Sequence, residues 1–231
     1  GFYSDAMPGP PQLPSDDLPM PRLETLQFAT TIPDEELEWL RARARWIYEN
    51  TPYAMLGSGY GYGFSAGFGG IPWQDWMCLM VAEPAYCRDG LLRAAEATVQ
   101  RLRLVEEAVG EYVSAWMVAA DDMGTQKGEY FREETFREVI LPAYAHVCTW
   151  MRQHSRMKSF LHCCGSIYHL IEGLIEGGLD CLNPVQTSAA NMDPVCLKKE
   201  FGGRIVFWGG GCDTQHVLWR EPPEVVAAHV R

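Results

Sequence analysis

Residues 160–165 read Phe-Leu-His-Cys-Cys-Gly. An imidazole and two thiols side by side are the groups that bind soft and borderline metal ions. On an extended segment alternate side chains share a face, so His162 and Cys164 point one way and Cys163 the other. A catalytic zinc takes about three protein ligands and keeps one position open, so this pair needs a further donor. Cys212 is the later cysteine placed to supply it, whereas Cys181 inside a strand and Cys196 on a helix read as packing residues. The competing reading makes His162 a hydrogen-bonded pocket histidine and both cysteines buried filler.

Three other clusters carry polar chemistry. Asp121 and Asp122 close an apolar run. One reads as a cap or structural acceptor; the other, assigned by strand alternation to Asp122, faces a pocket as acid, base or charge stabiliser. Asn183 and Gln186 follow a second apolar run and could orient substrate oxygens, although Asn-Pro is also turn chemistry. Asp213 and Gln215, in the segment Gly-Gly-Gly-Cys-Asp-Thr-Gln (209–215), complete the pocket-lining candidates.

The elements that must position these groups follow from periodicity. Residues 1–22 hold six prolines, and 1–32 reads as an extended surface segment. A helix is expected after Pro33, with Leu37, Leu40, Ala44 and Ile47 on one stripe. A short strand at 53–56 precedes a glycine-rich stretch, 57–70, read as a mobile loop with a substrate lid as the alternative; no Lys-Ser or Lys-Thr closes it as a phosphate cradle would require. Helices near 72–83 and 86–109 are followed by a strand at 113–120 and a helix over 132–155 that Pro142 should bend. Strands at 157–161, 179–182 and 204–208 then alternate with helices. Five continuously apolar strands alternating with helices imply a parallel sheet covered on both faces. Four of them end at the polar clusters, and the C-terminal rim of a parallel α/β sheet is where ligands bind. Both a doubly wound sheet and a (β/α)8 TIM barrel fit this α/β pattern; five units make only an incomplete barrel, with 1–231 as one domain.

Composition bounds the partners. The 231 residues are 47% hydrophobic with eight tryptophans, enough for a large core. Nineteen basic against thirty acidic side chains give a charge of −11, which argues against nucleic acid. No apolar stretch reaches bilayer length and the start lacks a signal core, so a soluble cytoplasmic chain with no membrane partner is expected. The eight scattered cysteines read as reduced rather than as a disulfide framework. Gly1 at the start, and Arg231 inside an expected helix, suggest a piece of a longer chain.

The segments His-x-Cys-Gly (162–165), Leu-Asn-Pro-Val-Gln (182–186), Met-Asp-Pro (192–194), Leu-Lys-Lys-x-Phe-Gly (197–202) and Trp-Gly-Gly-Gly-x-Asp-Thr-Gln (208–215) occur in order, after Val-Ala-Ala-Asp-Asp-Met-Gly-Thr-Gln (118–126). Together they resemble the uroporphyrinogen decarboxylase superfamily, most closely its branch of corrinoid-linked methyltransferases. The likeness covers most of the chain after about residue 110 and is weaker before it. The resemblance implies a (β/α)8 barrel in a longer parent, with zinc held by a His-x-Cys pair and a later cysteine. That zinc activates a thiol or related acceptor, or holds a methyl donor, for exchange with a corrinoid carried by a partner protein. Carried over by position, the pair is His162 and Cys164; the family's later cysteine usually lies downstream of Arg231, and Cys212 stands where an aliphatic residue is common.

The reading that follows is a zinc-dependent methyltransferase acting with a corrinoid protein to demethylate a small methylated compound. One alternative is a metal-free decarboxylase of the uroporphyrinogen type. Such enzymes generally lack the His-x-Cys pair, and the Arg-rich N-terminal segment they depend on is not found here. A second alternative is a non-catalytic barrel that docks a corrinoid partner.

Overall fold

The structure is a computed structural model and describes residues 15–64 and 67–230. The described chain runs α1 (Asp34–Asn50), β1 (Leu56–Gly57), α2 (Trp73–Ala82), α3 (Pro84–Val109), β2 (Ala115–Ala120), α4 (Glu133–Thr135), α5 (Leu141–His154), β3 (Lys158–Cys163), α6 (Tyr168–Glu176), β4 (Cys181–Pro184), α7 (Pro194–Phe201), β5 (Val206–Phe207) and α8 (Pro223–Val230). All strand pairs are parallel and the order across the sheet is β1-β2-β3-β4-β5. Every crossover therefore advances one strand in the same direction. A doubly wound sheet reverses direction at a switch point, and none occurs here. The arrangement is that of consecutive units of a (β/α) barrel, five strands of it.

Burial along the strands shows two faces. On β3, Ser159, Leu161 and Cys163 are buried, while Lys158 is exposed and His162 half-buried on the other face. The first set meets α3, α5 and α6, whose Leu102, Val147, Met151, Leu170, Ile171 and Leu174 form one continuous core with it. Removing such side chains from water supplies the main stabilisation, at about 25 cal/mol per Å² of apolar area.

β2 carries an irregularity that matters for the site. Its register with β3 runs Met117↔Phe160 and then Ala119↔Leu161, so one extra residue is accommodated at Val118. Before this bulge the odd residues Ala115 and Met117 are the less buried; after it the even residues Ala120 and Asp122 are. A bulge re-aims the side chains beyond it, and here it turns Asp122 to the open rim and Asp121 inward.

Several sequence expectations shift. The first strand lies at Leu56–Gly57 rather than 53–56, and β3 and β4 extend through His162 and Asn183, which therefore sit on strands and not beyond them. The helix expected over 132–155 contains a π-helical turn, Phe136–Ile140, immediately before Pro142. Proline has no N–H to offer the carbonyl one turn back and its ring crowds that carbonyl, so the widened turn absorbs the misfit. The stretch 57–70 is not a mobile surface loop in its described part. Tyr62, Phe64 and Phe68 are buried, the Tyr62 N–H donates to Val118 O, and a Cβ on Gly61 would lie 2.5 Å from that same oxygen. The glycines let this segment lie flat against the end of β2; residues 65–66 fall outside the described residues. Of the N-terminal segment 1–32, residues 1–14 also fall outside. From Ser15 onward it is anchored, with Ser15 bonded to the buried Asp75 and the Tyr86 hydroxyl donating to Pro21 O.

Candidate metal centre

β3 presents His162 two residues before Cys164, and their side chains converge: His162 Nε2 lies 3.4 Å from Cys164 Sγ. Cys163 points to the opposite face and is buried. The bulged β2 brings Asp122 to the same place. Among the described residues, Asp122, His162 and Cys164 form a group whose ligand atoms all lie within 4.8 Å of one another. A nitrogen, a sulfur and a carboxylate oxygen at that separation are the donor types and number of a three-ligand zinc site with an open position. The donor set fits a borderline divalent ion.

The tautomer of His162 is set by its neighbour. Asn183 on β4 pairs with His162 in the sheet register, and its Nδ2 donates to Trp208 O at 2.9 Å. That bond orients the amide, so Oδ1 faces His162 Nδ1 at 2.8 Å. Only an N–H on Nδ1 satisfies this contact, which leaves the Nε2 lone pair aimed at Cys164. A metal-binding histidine commonly shows this arrangement, its second ring nitrogen donating to a fixed acceptor.

Cys164 is held by backbone contacts on both sides. Its N–H donates to Asp122 Oδ1 at 2.8 Å, and the next N–H, of Gly165, donates to Gln186 Oε1 at 2.9 Å. Gly165 has φ +88°, and a Cβ there would lie 2.2 Å from Gly124 O. A left-handed turn this close to another backbone is open only to glycine. Burial and the adjacent Asp122 carboxylate push the Cys164 thiol up to about 11, so without a cation the sulfur keeps its proton at neutral pH. Burial likewise pushes the Cys163 thiol well above the ordinary thiol range.

Asp121 is buried and works differently. Its Oδ2 accepts the Phe64 N–H at 2.7 Å and the Tyr144 hydroxyl, tying the glycine-rich segment and α5 to the end of β2. Tyr130 also borders the centre. Its N–H donates to Met123 O, folding residues 123–130 back beside Asp122. Burial and then the negative charge of Asp122 raise its phenol above the usual tyrosine value.

The structure thus brings together His162, Cys164 and Asp122, and places Asn183 and Gln186 behind them as holders. Cys212 is not in the donor group. β5 ends at Phe207, and Gly209 and Gly210 take positive φ and turn the chain. Asp213 then caps the next turn, accepting from the N–H groups of Gln215 and His216 and contacting His216 Nδ1. Gln215 is exposed, and its carbonyl accepts the Trp219 indole N–H. The sequence placed Asp122 at the pocket but not among the donors, for which it offered Cys212, and it did not show the link between Asn183 and His162, which needs the strand register.

No protein-family profile matches the chain, and no curated protein sequence matches it. Among solved structures it is similar to a methyltransferase from Methanosarcina mazei, with a TM-score of 0.59 at 14% identity. The superposition covers 87% of this chain and 57% of the methyltransferase chain. The two therefore share a fold, of which this chain spans a little over half.

Proposed function

We propose that the chain acts in methyl transfer, with zinc held by His162, Cys164 and Asp122, together with a corrinoid carried by a partner protein, in the demethylation of a small methylated compound. The fold shared with a methyltransferase and the His-x-Cys-Gly resemblance support this reading. The observation that carries it is the 3.4 Å approach of His162 Nε2 to Cys164 Sγ, with Nδ1 pinned by Asn183. Asp122 takes the part expected of Cys212.

A zinc ion bound there would act as a Lewis acid, lowering the pKa of a thiol or hydroxyl at its open position. The chain's own groups do the rest. The Nε2 lone pair is preset. Cys164 gives up its proton when it binds a cation, which makes loading proton-releasing. Asp122 keeps one oxygen on the Cys164 N–H and leaves the other for the ion. The metal-free decarboxylase alternative gives this donor set no task.

Zinc titration of protein purified without chelator tests the reading. About one equivalent should bind, and His162→Ala and Cys164→Ser should each abolish tight binding and methyl transfer. Zinc well below one equivalent in a folded sample, or unchanged methyl transfer in His162→Ala, overturns it.

A further inference from the structure

Two aromatic rings take no part in the donor group: Tyr130, which the charge of Asp122 reaches, and Trp73, which packs on Tyr130. Trp73 opens α2, and Tyr130 ends the fold-back that begins at Met123. Their rings meet edge to face, with centroids 6.1 Å apart and planes at 77°. Both remain open to solvent, at 39% and 42% exposure. The rings behind them are not: Phe64 is fully buried, and contacts Trp73 and Phe131 at centroid distances of 6.1 and 5.5 Å. Phe131 stacks nearly parallel on the buried Phe136. The pair is therefore a backed corner, and its exposed surface is left over after packing.

A pair of part-exposed aromatic rings at nearly right angles, one of them near an exposed carboxylate, selects its occupant by charge. The faces of tryptophan and tyrosine are electronegative, and attract a cation whose charge is diffuse and weakly hydrated. A small metal cation keeps its water, and a neutral methyl ether gains only apolar contact. Asp122 adds a negative charge next to Tyr130, and the chain as a whole carries −11. Tyr130 also borders a cavity of about 530 Å³ whose walls include Glu129, Glu133, Glu134 and Arg132, giving room for the remainder of such a molecule.

We propose that Trp73 and Tyr130 form an aromatic corner that binds a methylated onium head group, placing the substrate of this centre among N- or S-methylated cations rather than methyl ethers. The assignment as substrate rests on methyl transfer being the reaction; the binding itself needs no metal.

The test uses the 231-residue chain, with tetramethylammonium and choline as probes and the neutral tert-butyl analogue of choline as control. Proton NMR should show the onium methyl resonance moving upfield, as ring currents above a π face require. Trp73→Leu and Tyr130→Leu should each weaken binding by about tenfold, Tyr130→Phe should keep it, and the neutral analogue should bind at least about tenfold more weakly. Equal binding of the neutral analogue, or loss of binding in Tyr130→Phe, overturns the aromatic corner. Zinc loading measured on the same samples separates the two readings. Folded protein that holds zinc through His162 and Cys164 but gives no onium shift sinks the corner alone. An upfield shift without zinc loading keeps the corner and sinks the metal reading.

Discussion

Asn183 decides which nitrogen of His162 is free, although it touches no donor other than His162. Asn183→Leu removes the acceptor for Nδ1–H and lets the ring turn or change tautomer, while His162, Cys164 and Asp122 all remain. Zinc affinity should fall by about 10–100-fold, measured by competition with a chromogenic chelator. An unchanged affinity would mean that the ring is held by packing alone. Asp121, one residue from a proposed ligand, belongs to the fold instead. Asp121→Ala strands the Phe64 N–H and the Tyr144 hydroxyl in a buried place, and bonds to a charged acceptor contribute about 1.5–3 kcal/mol each. Urea denaturation should show a loss of at least about 2 kcal/mol. The adjacent Asp122→Ala should leave stability nearly unchanged and weaken zinc binding. The two neighbouring aspartates thus differ as strand alternation expects, Asp121 buried and Asp122 open, although the sequence did not mark Asp122 as a donor.

At the scale of elements, the centre stands where three strand-to-helix connections interlock. The Ser166 N–H donates to Thr125 O at 2.7 Å, the Ala190 N–H donates to Gln126 O at 2.9 Å, and the Gln186 side chain accepts from Gly165. Gly124 and Gly165 pack backbone to backbone between the first two connections. Gly165→Ala forces a Cβ into Gly124 O at a positive φ, so the turn must move and take Cys164 off His162. We expect zinc binding to be lost, with a destabilisation of about 1–3 kcal/mol that thermal melting would register. Wild-type zinc affinity in that variant would show that the turn does not set the sulfur. The helices and the parallel sheet were legible because apolar periodicity reports burial directly, and the convergence of residues 162 and 164 follows from the two-residue repeat of a strand. The bulge at Val118 was not legible. Nothing in Ala-Trp-Met-Val-Ala-Ala marks the extra residue, so alternation alone named the right aspartate while missing the register shift that precedes it. Cys212 failed to join for a related reason: a glycine-rich exit from a two-residue strand can leave in many directions, and sequence spacing does not choose among them.

For the molecule as a whole, the sulfur that is not at the centre has its own consequence. Three buried thiols, those of Cys87, Cys148 and Cys163, are packed within the core formed by the helices and the sheet. Cys87, Cys148 and Cys163 are at most 1% exposed. Burial pushes Cys87 and Cys148 up to about 12, and Cys163 well above the ordinary thiol range. Below about pH 7.5 these groups are protonated in both folded and unfolded chains and stability is independent of them. Above it the unfolded chain loses thiol protons that the folded chain keeps, so the unfolded state binds fewer protons and stability falls as pH rises, until the folded thiols titrate in turn. Three such groups together give a slope of about 4 kcal/mol per pH unit, against a total stability of about 5–15 kcal/mol for a domain. The urea midpoint of the metal-free protein should therefore fall steeply from about pH 9 upward, with unfolding complete within a few units. Cys164 and Cys181, both raised to about 11, add to the slope below that pH; Cys148→Ala removes one group and should lower the slope by about 1.4 kcal/mol per pH unit, at some cost in packing near neutral pH. If the slope between about pH 9 and 11 is the same in that variant, the thiols are not what limits the alkaline range, and tyrosines such as the buried Tyr62 and Tyr144, both raised mainly by burial, become the groups to replace next.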